Sequence, residues 1–98
     1  MNVRWRGQFK KDYKLMMRQG KDIAQLDYVV EELAAQNPLP EQYQDHPLKG
    51  DYKGYRECHI EPDWLLIYGY ETLEDETLED DECQLLLVRT GSHSDLFE

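Results

Sequence analysis

Cysteine is scarce in this chain. Only Cys58 and Cys83 occur among its 98 residues, which excludes the disulfide framework of a small secreted scaffold and points to reduced thiols in the cytoplasm. No apolar run approaches the length of about 20 residues that a membrane helix needs, and no charged-then-apolar leader opens the sequence, so neither a membrane span nor a secretory signal is expected. The patterns G-x-x-x-x-G-K, G-x-S-x-G, C-x-x-C and H-x-x-x-H are all missing. Nucleotide hydrolysis, serine acyl transfer and a locally encoded zinc site thereby lose sequence support.

Basic residues are missing altogether from residues 71–82, which hold eight acids. A net charge of −10 argues against a polyanionic partner, because phosphate binding is driven by cationic side chains. Without those eight acids, however, the remainder carries only −2, and residues 1–21 set seven bases against a single acid. The chain is polarised, and its total charge describes no one face. Within the acidic stretch, residues 71–80 are a tandem duplication, E-T-L-E-D followed by E-T-L-E-D. A repeat this short between two strand-like segments reads as an expanded hairpin tip inserted in a single domain spanning 1–98, since added loop length costs only about 0.6 kcal/mol per doubling.

What is present is organised around residues 55–70. Tyr55–Ile60 alternates, with Cys58 and Ile60 on one side and Glu57 and His59 on the other. Glu61-Pro62-Asp63 forms a turn that proline suits, and Trp64–Tyr70 is apolar enough for a central strand. Cys83–Arg89 predicts a further buried strand. Val3 and Trp5 suggest a short first strand or an N-terminal arm. Phe9, Tyr13, Met16 and Met17 predict a first helix ended by Gly20. Ile23, Leu26, Val29, Val30 and Leu33 predict a second helix capped by Asp22 and ended at Asn37-Pro38. The expected fold is α+β, two N-terminal helices packed on a small antiparallel sheet. Residues 38–54 connect the layers as a long loop whose Tyr43, Leu48 and Tyr52 should pack.

Three histidines lie in three segments: His46 in the long connection, His59 beside the turn and His93 after the last strand. Each alone reads as a surface histidine. If they converge with Glu57 and Asp63, they supply the general acid, general base and phosphate stabiliser that moving a proton between two hydroxyls requires. Zinc ligation is the competing use of the same side chains. Arg56 and Arg89, set among apolar strand residues, are either ion-paired or available to grip a phosphate bidentately.

The segments F-K-K-D-Y-K, D-H-P-L-K-G-D-Y-K-G-Y-R-E-C-H-I-E-P-D-W-L-L-I-Y and R-T-G-S-H-S-D-L-F resemble the YafQ group of the RelE/ParE superfamily, toxins of bacterial type II toxin–antitoxin modules. The resemblance runs from about Phe9 to Phe97 and is broken chiefly by the acidic repeat. It implies a RelE-like fold and a ribosome-dependent mRNA endonuclease, in which the substrate's 2′-hydroxyl attacks the adjacent phosphate without a metal or other cofactor. It also implies catalytic roles for His46, His59, Asp63, His93 and Arg89, with Glu57 standing where the family more often has aspartate. Phe97 is expected to stack on a base, and Arg56, Lys10, Lys11 and Lys14 to contact RNA. The implied partners are a cognate antitoxin, the 30S A site and mRNA, with the toxin monomeric inside a toxin–antitoxin hetero-oligomer and no membrane involved. The rival expectation is a ParE-like protein inhibitor, or a module that binds antitoxin without cutting RNA; the acid excess motivates it.

Overall fold

The structure, a computed structural model, describes residues 1–73 and 82–97. Strands β1 (Asn2–Trp5), β2 (His46–Pro47), β3 (Arg56–Glu61), β4 (Trp64–Leu73) and β5 (Glu82–Gly91) form one sheet in the order β1-β5-β4-β3-β2. β2 to β5 pair antiparallel, but β1 runs parallel to β5. The sheet of this α+β fold is therefore mixed where an antiparallel one was expected, because the alternation of Val3 and Trp5 specifies a face and carries no information about direction.

Helices α1 (Gly7–Arg18) and α2 (Ile23–Ala34) cover one face. Phe9, Met16, Leu26, Val29 and Leu33 pack there against Trp64, Leu66, Tyr68, Leu85 and Leu87. Met17 departs from the predicted stripe and is 55% exposed, one residue and about 100° past Met16. α1 ends in a Schellman motif: the Lys21 N–H donates to the Met16 carbonyl, the Gly20 N–H to that of Met17, and Gly20 takes φ +76°, which glycine adopts freely. α2 starts as predicted, with Asp22 Oδ1 accepting from the Ala24 N–H at 3.2 Å. It ends by the same motif as α1, but with Gln36 at φ 59° in the left-handed position.

The other face, here called the open face, is partly covered. Leu65, Ile67, Leu86, Val88 and Leu96 pack there with Leu48, Tyr52 and Tyr55. The long connection wraps the β3 edge to do this, placing Tyr43 on the helix-side core and Leu48 and Tyr52 on the open side. Tyr55 lies on Gly69, where an added Cβ would come within 2.7 Å of its ring. Its hydroxyl thereby reaches across the sheet to accept from Arg6 Nη2 at 2.8 Å.

Helix α3 (His93–Phe97) follows β5. Ser92 and Asp95 cap each other, the Ser92 N–H donating to Asp95 Oδ2 at 3.0 Å and the Asp95 N–H to Ser92 Oγ at 3.1 Å. This capping-box arrangement, with Leu96 buried on the open face, ties down a segment whose sequence suggested fraying. The acidic stretch begins inside the sheet: Glu71, Thr72 and Leu73 pair with Gln84, Cys83 and Glu82, so part of the first repeat is strand. Residues 74–81, the rest of the expected hairpin-loop insertion, lie outside the described residues. Both thiols are free, Cys58 buried and Cys83 exposed. Among the described residues no helix is long and apolar enough to cross a membrane.

Candidate active site

Register decides which side chains share the open face. His59 pairs with Leu65, Glu57 with Ile67, and His46 with Glu57. Leu65 and Ile67 face the open side, so His46, Glu57 and His59 do as well, since opposed residues in a sheet share a face. The β3–β4 turn is the two residues Pro62-Asp63, neither at positive φ. A bulge between His59 and Glu61 accompanies it and accommodates the twist that a primed turn would otherwise supply. Asp63 is thereby presented at the rim next to α3.

The three imidazoles meet. Ring centroids lie 6.3 Å apart for His46 and His59 and 5.7 Å apart for His59 and His93. Each ring has one nitrogen engaged: His46 Nδ1 by the Gln44 carbonyl at 2.7 Å, His59 Nε2 by Glu57 Oε1 at 3.2 Å, and His93 Nδ1 by Asp63 Oδ1 at 3.2 Å. The Gln44 carbonyl and the Asp63 carboxylate can only accept, so Nδ1 of His46 and Nδ1 of His93 are the donors in those two bonds, while His59 Nε2 lies within ion-pair range of Glu57. Glu57 is buried and His59 half-buried, whereas His46 and His93 are exposed. The Asp63 carboxyl also accepts from the His93 backbone N–H, which lowers its pKa below the usual carboxylate value, with the imidazole adding to the effect. Phe97 lies 6.2 Å from His93 and meets Tyr52 edge-on at 5.8 Å. With Lys49, Asp51 and Leu96, this pair lines a shallow cavity of about 360 Å³.

Arg89 reaches this face through an irregularity. Leu85 and Leu87 point to the helices, and simple alternation would send residue 89 after them. The register shifts between Ile67 and Tyr68, which pair with Arg89 and Leu87, so Val88 is the extra residue. One additional residue reverses sidedness. The Arg89 guanidinium is then held by Asp12, from Nε at 3.0 Å and Nη2 at 3.2 Å, and these bonds raise its pKa. Asp12 Oδ2 also accepts from the Thr90 N–H at 3.2 Å, filling in at the β5 edge past the end of β1. Asp12 thus occupies the Nε and Nη2 side of the guanidinium, and Tyr52 also lies against it, which narrows the phosphate-clamp expectation.

Arg56 does not join the cluster. It pairs across the ladder with Tyr68 on the helix face and donates from Nε to Asp45 Oδ1 at 3.1 Å. Lys10, Lys11 and Lys14 are exposed on α1, which packs against the helix face. Bases that do flank the open face include Arg4, opposite Leu86, Arg6 against Tyr55, and Lys49 beside Tyr52 and Phe97. The period-two spacing of Arg4 and Arg6 in N-V-R-W-R was the available signal, legible once β1 had a partner. Asp12 was missed as well. It is the lone acid in the basic stretch and sits inside the Phe9–Met16 stripe, a position where an unpaired carboxylate would be costly.

The family model for the bacterial toxin of type II toxin–antitoxin systems, YafQ, matches residues 1–98. The chain belongs to the YafQ toxin family. It is 42% identical over 97 residues to the mRNA interferase toxin YafQ of Escherichia coli K12, covering 98% of this chain and 95% of that one. Among solved structures, the E. coli DinJ–YafQ complex matches with a TM-score of 0.79 at 42% identity, covering 99% of this chain and 98% of that one. A metal-bound toxin from Helicobacter pylori matches with a TM-score of 0.80 at 41% identity, covering 99% of each. The RelE-like α+β expectation thus holds, with β1 as its parallel member.

Proposed function

We propose that this YafQ-family toxin is an endoribonuclease that cuts mRNA in the ribosomal A site and is silenced by a cognate antitoxin. The observation that supports the reading best is the set of three adjacent imidazoles, each tethered through one nitrogen to an acceptor. In the reaction proposed, a substrate 2′-oxygen attacks the neighbouring phosphorus while the bond from phosphorus to O5′ breaks, leaving a 2′,3′-cyclic phosphate and a 5′-hydroxyl. His46 Nε2 accepts the 2′-hydroxyl proton, and His93, acting as the imidazolium with its Nδ1–H held by Asp63, gives its Nε2 proton to the departing O5′; solvent afterwards takes the proton from His46 and returns one to His93. His59, backed by the Glu57 carboxylate, and Arg89 stabilise charge on the phosphoryl oxygens. Phe97 offers a face on which a splayed base can stack.

The test is to map mRNA 5′ ends in extracts with and without ribosomes after adding the purified toxin. New ends within codons, seen only when ribosomes are present, are expected. Growth arrest without new ends would instead favour the non-nuclease reading. The antitoxin proposal follows from the DinJ–YafQ complex of the E. coli relative, and the expected readout is loss of cleavage on stoichiometric complex formation.

Glu57, His59 and His93 offer ligand atoms that all lie within 4.8 Å of one another, a donor set of imidazole and carboxylate suited to a transition metal. Those three residues would hold it, and its chemistry there would be that of a Lewis acid. In the reading proposed, His93 serves proton transfer and His59 charge stabilisation, so a metal held tightly by both competes with the reaction. EDTA should therefore leave cleavage unchanged, and micromolar copper or zinc should inhibit it, with alanine at position 59 relieving the metal sensitivity of residual activity. Loss of activity in EDTA that zinc restores would reverse this assignment.

Residues 74–81 carry six acids and no base. Joining Leu73 to Glu82 through Asn-Gly, a pair suited to a two-residue hairpin, lowers the net charge from −10 to −4. Thermal stability should be unchanged within experimental error, and association with ribosomes at low salt should tighten several-fold, an advantage that fades as salt screens it. Identical binding at low salt would show that the acidic segment exerts no repulsion.

A further inference from the structure

His46 is held by little beyond the short β2–β3 pairing, in which the Leu48 N–H donates to the Tyr55 carbonyl at 2.9 Å. It is exposed, β2 is two residues long, and one of these is Pro47, which has no N–H to give. The imidazole is oriented by the Gln44 carbonyl, and Gln44 itself adopts φ 48° and ψ 44°, a left-handed conformation that disfavours side chains other than glycine and asparagine. The Gln44 N–H donates to the Glu41 carbonyl at 3.0 Å, and a side-chain contact one residue on adds to this.

We infer that Asp45, clamped on the helix face by Arg56 and Tyr68, is the positioning residue that fixes the place and tautomer of His46 across the sheet edge. Asp45 and His46 are successive, so their side chains leave the chain on opposite sides. Asp45 Oδ1 accepts from the Tyr68 hydroxyl at 2.6 Å and from Arg56 Nε at 3.1 Å. Tyr68 is buried in the middle of β4, with 1% of its surface exposed, and Arg56 opposes it on β3, so the carboxylate is bound to two strands at once. Burial, with Asp45 adding to it, raises the Tyr68 pKa well above its ordinary value, keeping that hydroxyl a donor throughout the physiological range. Two short, partly buried bonds on one face thus fix a peptide whose neighbouring side chain works on the other. Asp45 touches no substrate; it acts through the backbone of residues 44–46.

This inference rests on the proposed role of His46, and its experiment separates the two. Asp45→Asn is near-isosteric but sets an amide against the guanidinium. Tyr68→Phe removes only the 2.6 Å bond. In single-turnover cleavage of ribosome-bound mRNA, Asp45→Asn should lower kcat by about 10–100-fold with KM within about twofold, the size of effect expected from displacing a reacting group by roughly 1 Å, and Tyr68→Phe should fall between it and the wild type. In ¹⁵N spectra of the purified toxin, wild-type His46 should show the Nδ1–H tautomer and Asp45→Asn a mixture of both. Antitoxin binding reports that each variant is folded. A folded Asp45→Asn toxin with unchanged His46 resonances and wild-type kcat overturns the inference, as does lowered melting temperature with unchanged His46 resonances, which marks a merely structural role. If His46→Ala cleaves like the wild type, the catalytic reading of His46 fails, and the tautomer measurement still decides whether Asp45 positions it.

Discussion

Alanine in place of His93 is expected to lower mRNA cleavage by about 10²–10⁴-fold, the usual contribution of a positioned acid or base, and to abolish growth arrest on induction. Stability should hardly move. The ring is exposed, and the capping of α3 by Ser92 and Asp95 and the anchoring of Leu96 do not involve it; exposed substitutions of this kind usually lie within about 0.5 kcal/mol. A wild-type level of arrest at equal expression would remove the proposed acid and with it the reaction scheme. Asp63→Asn should have a smaller effect, because the backbone N–H and ring of His93 retain a polar partner while the orienting charge is lost. The pH dependence has a definite sign. The Asp63 pKa is lowered, chiefly by the His93 backbone N–H and side chain, so its stabilisation of the α3 start is present above the ordinary carboxylate pKa of about 3.9 and disappears only as pH falls through the lower folded value. Any loss of cleavage between pH 7 and pH 5 must therefore come from groups other than this carboxylate.

Asp12→Ala should be the most destabilising of the polar substitutions, at about 2–4 kcal/mol. It removes two bonds from the Arg89 guanidinium and leaves the Thr90 N–H without its acceptor at the β5 edge. Breaking a fully buried ion pair costs about 3–5 kcal/mol; the estimate is reduced because the Arg89 side chain is 24% exposed and water relieves part of the penalty. In a domain of this size such a loss lowers Tm by about 10 °C or more. Adding Arg89→Met to Asp12→Ala should recover part of the stability, since the orphaned charge is gone, while cleavage remains impaired. A melting curve for Asp12→Ala that overlays the wild type would show that Asp12 is not the anchor of this strand edge.

The hairpin from Arg56 to Tyr70 was legible because its alternation, its proline turn and its aromatic run all point the same way, whereas the acids from Glu71 onward hid the continuation of β4 to Leu73. Both helices were legible for the same reason, down to the Asp22 cap. What escaped depended on neighbours the sequence does not name. The direction of β1 is set by β5, and until that pairing is known Arg4 and Arg6 have no face. Gln36 and Gln44 take left-handed conformations that glycine usually marks. Ser92 and Asp95 spell an N-cap signal, S-x-x-D, but it precedes only a five-residue helix, too short for apolar periodicity to announce. The convergence of His46, His59 and His93 was raised by the turn that joins His59 to Asp63 and by His93 leaving a neighbouring strand, and the family resemblance then gave the three their implied roles. The ladder explains it: two of the three lie on paired strands, and the third follows β5 around the rim beside Asp63.

Val88 has a consequence for how this toxin tolerates change. Alternation beyond it runs in the opposite phase from that before it, so residue 89 shares the open face with Ile67 and the hydroxyl of Thr90 meets Trp64. Losing that one valine would barely alter hydropathy or composition, yet it would exchange the two sides for every residue up to Gly91, burying the arginine among the helices and turning the threonine outward. A change in length should be tolerated beyond the Leu73–Glu82 pair and disruptive at a single place about 20 Å further along the same strand, on the usual rise of about 3.4 Å per residue.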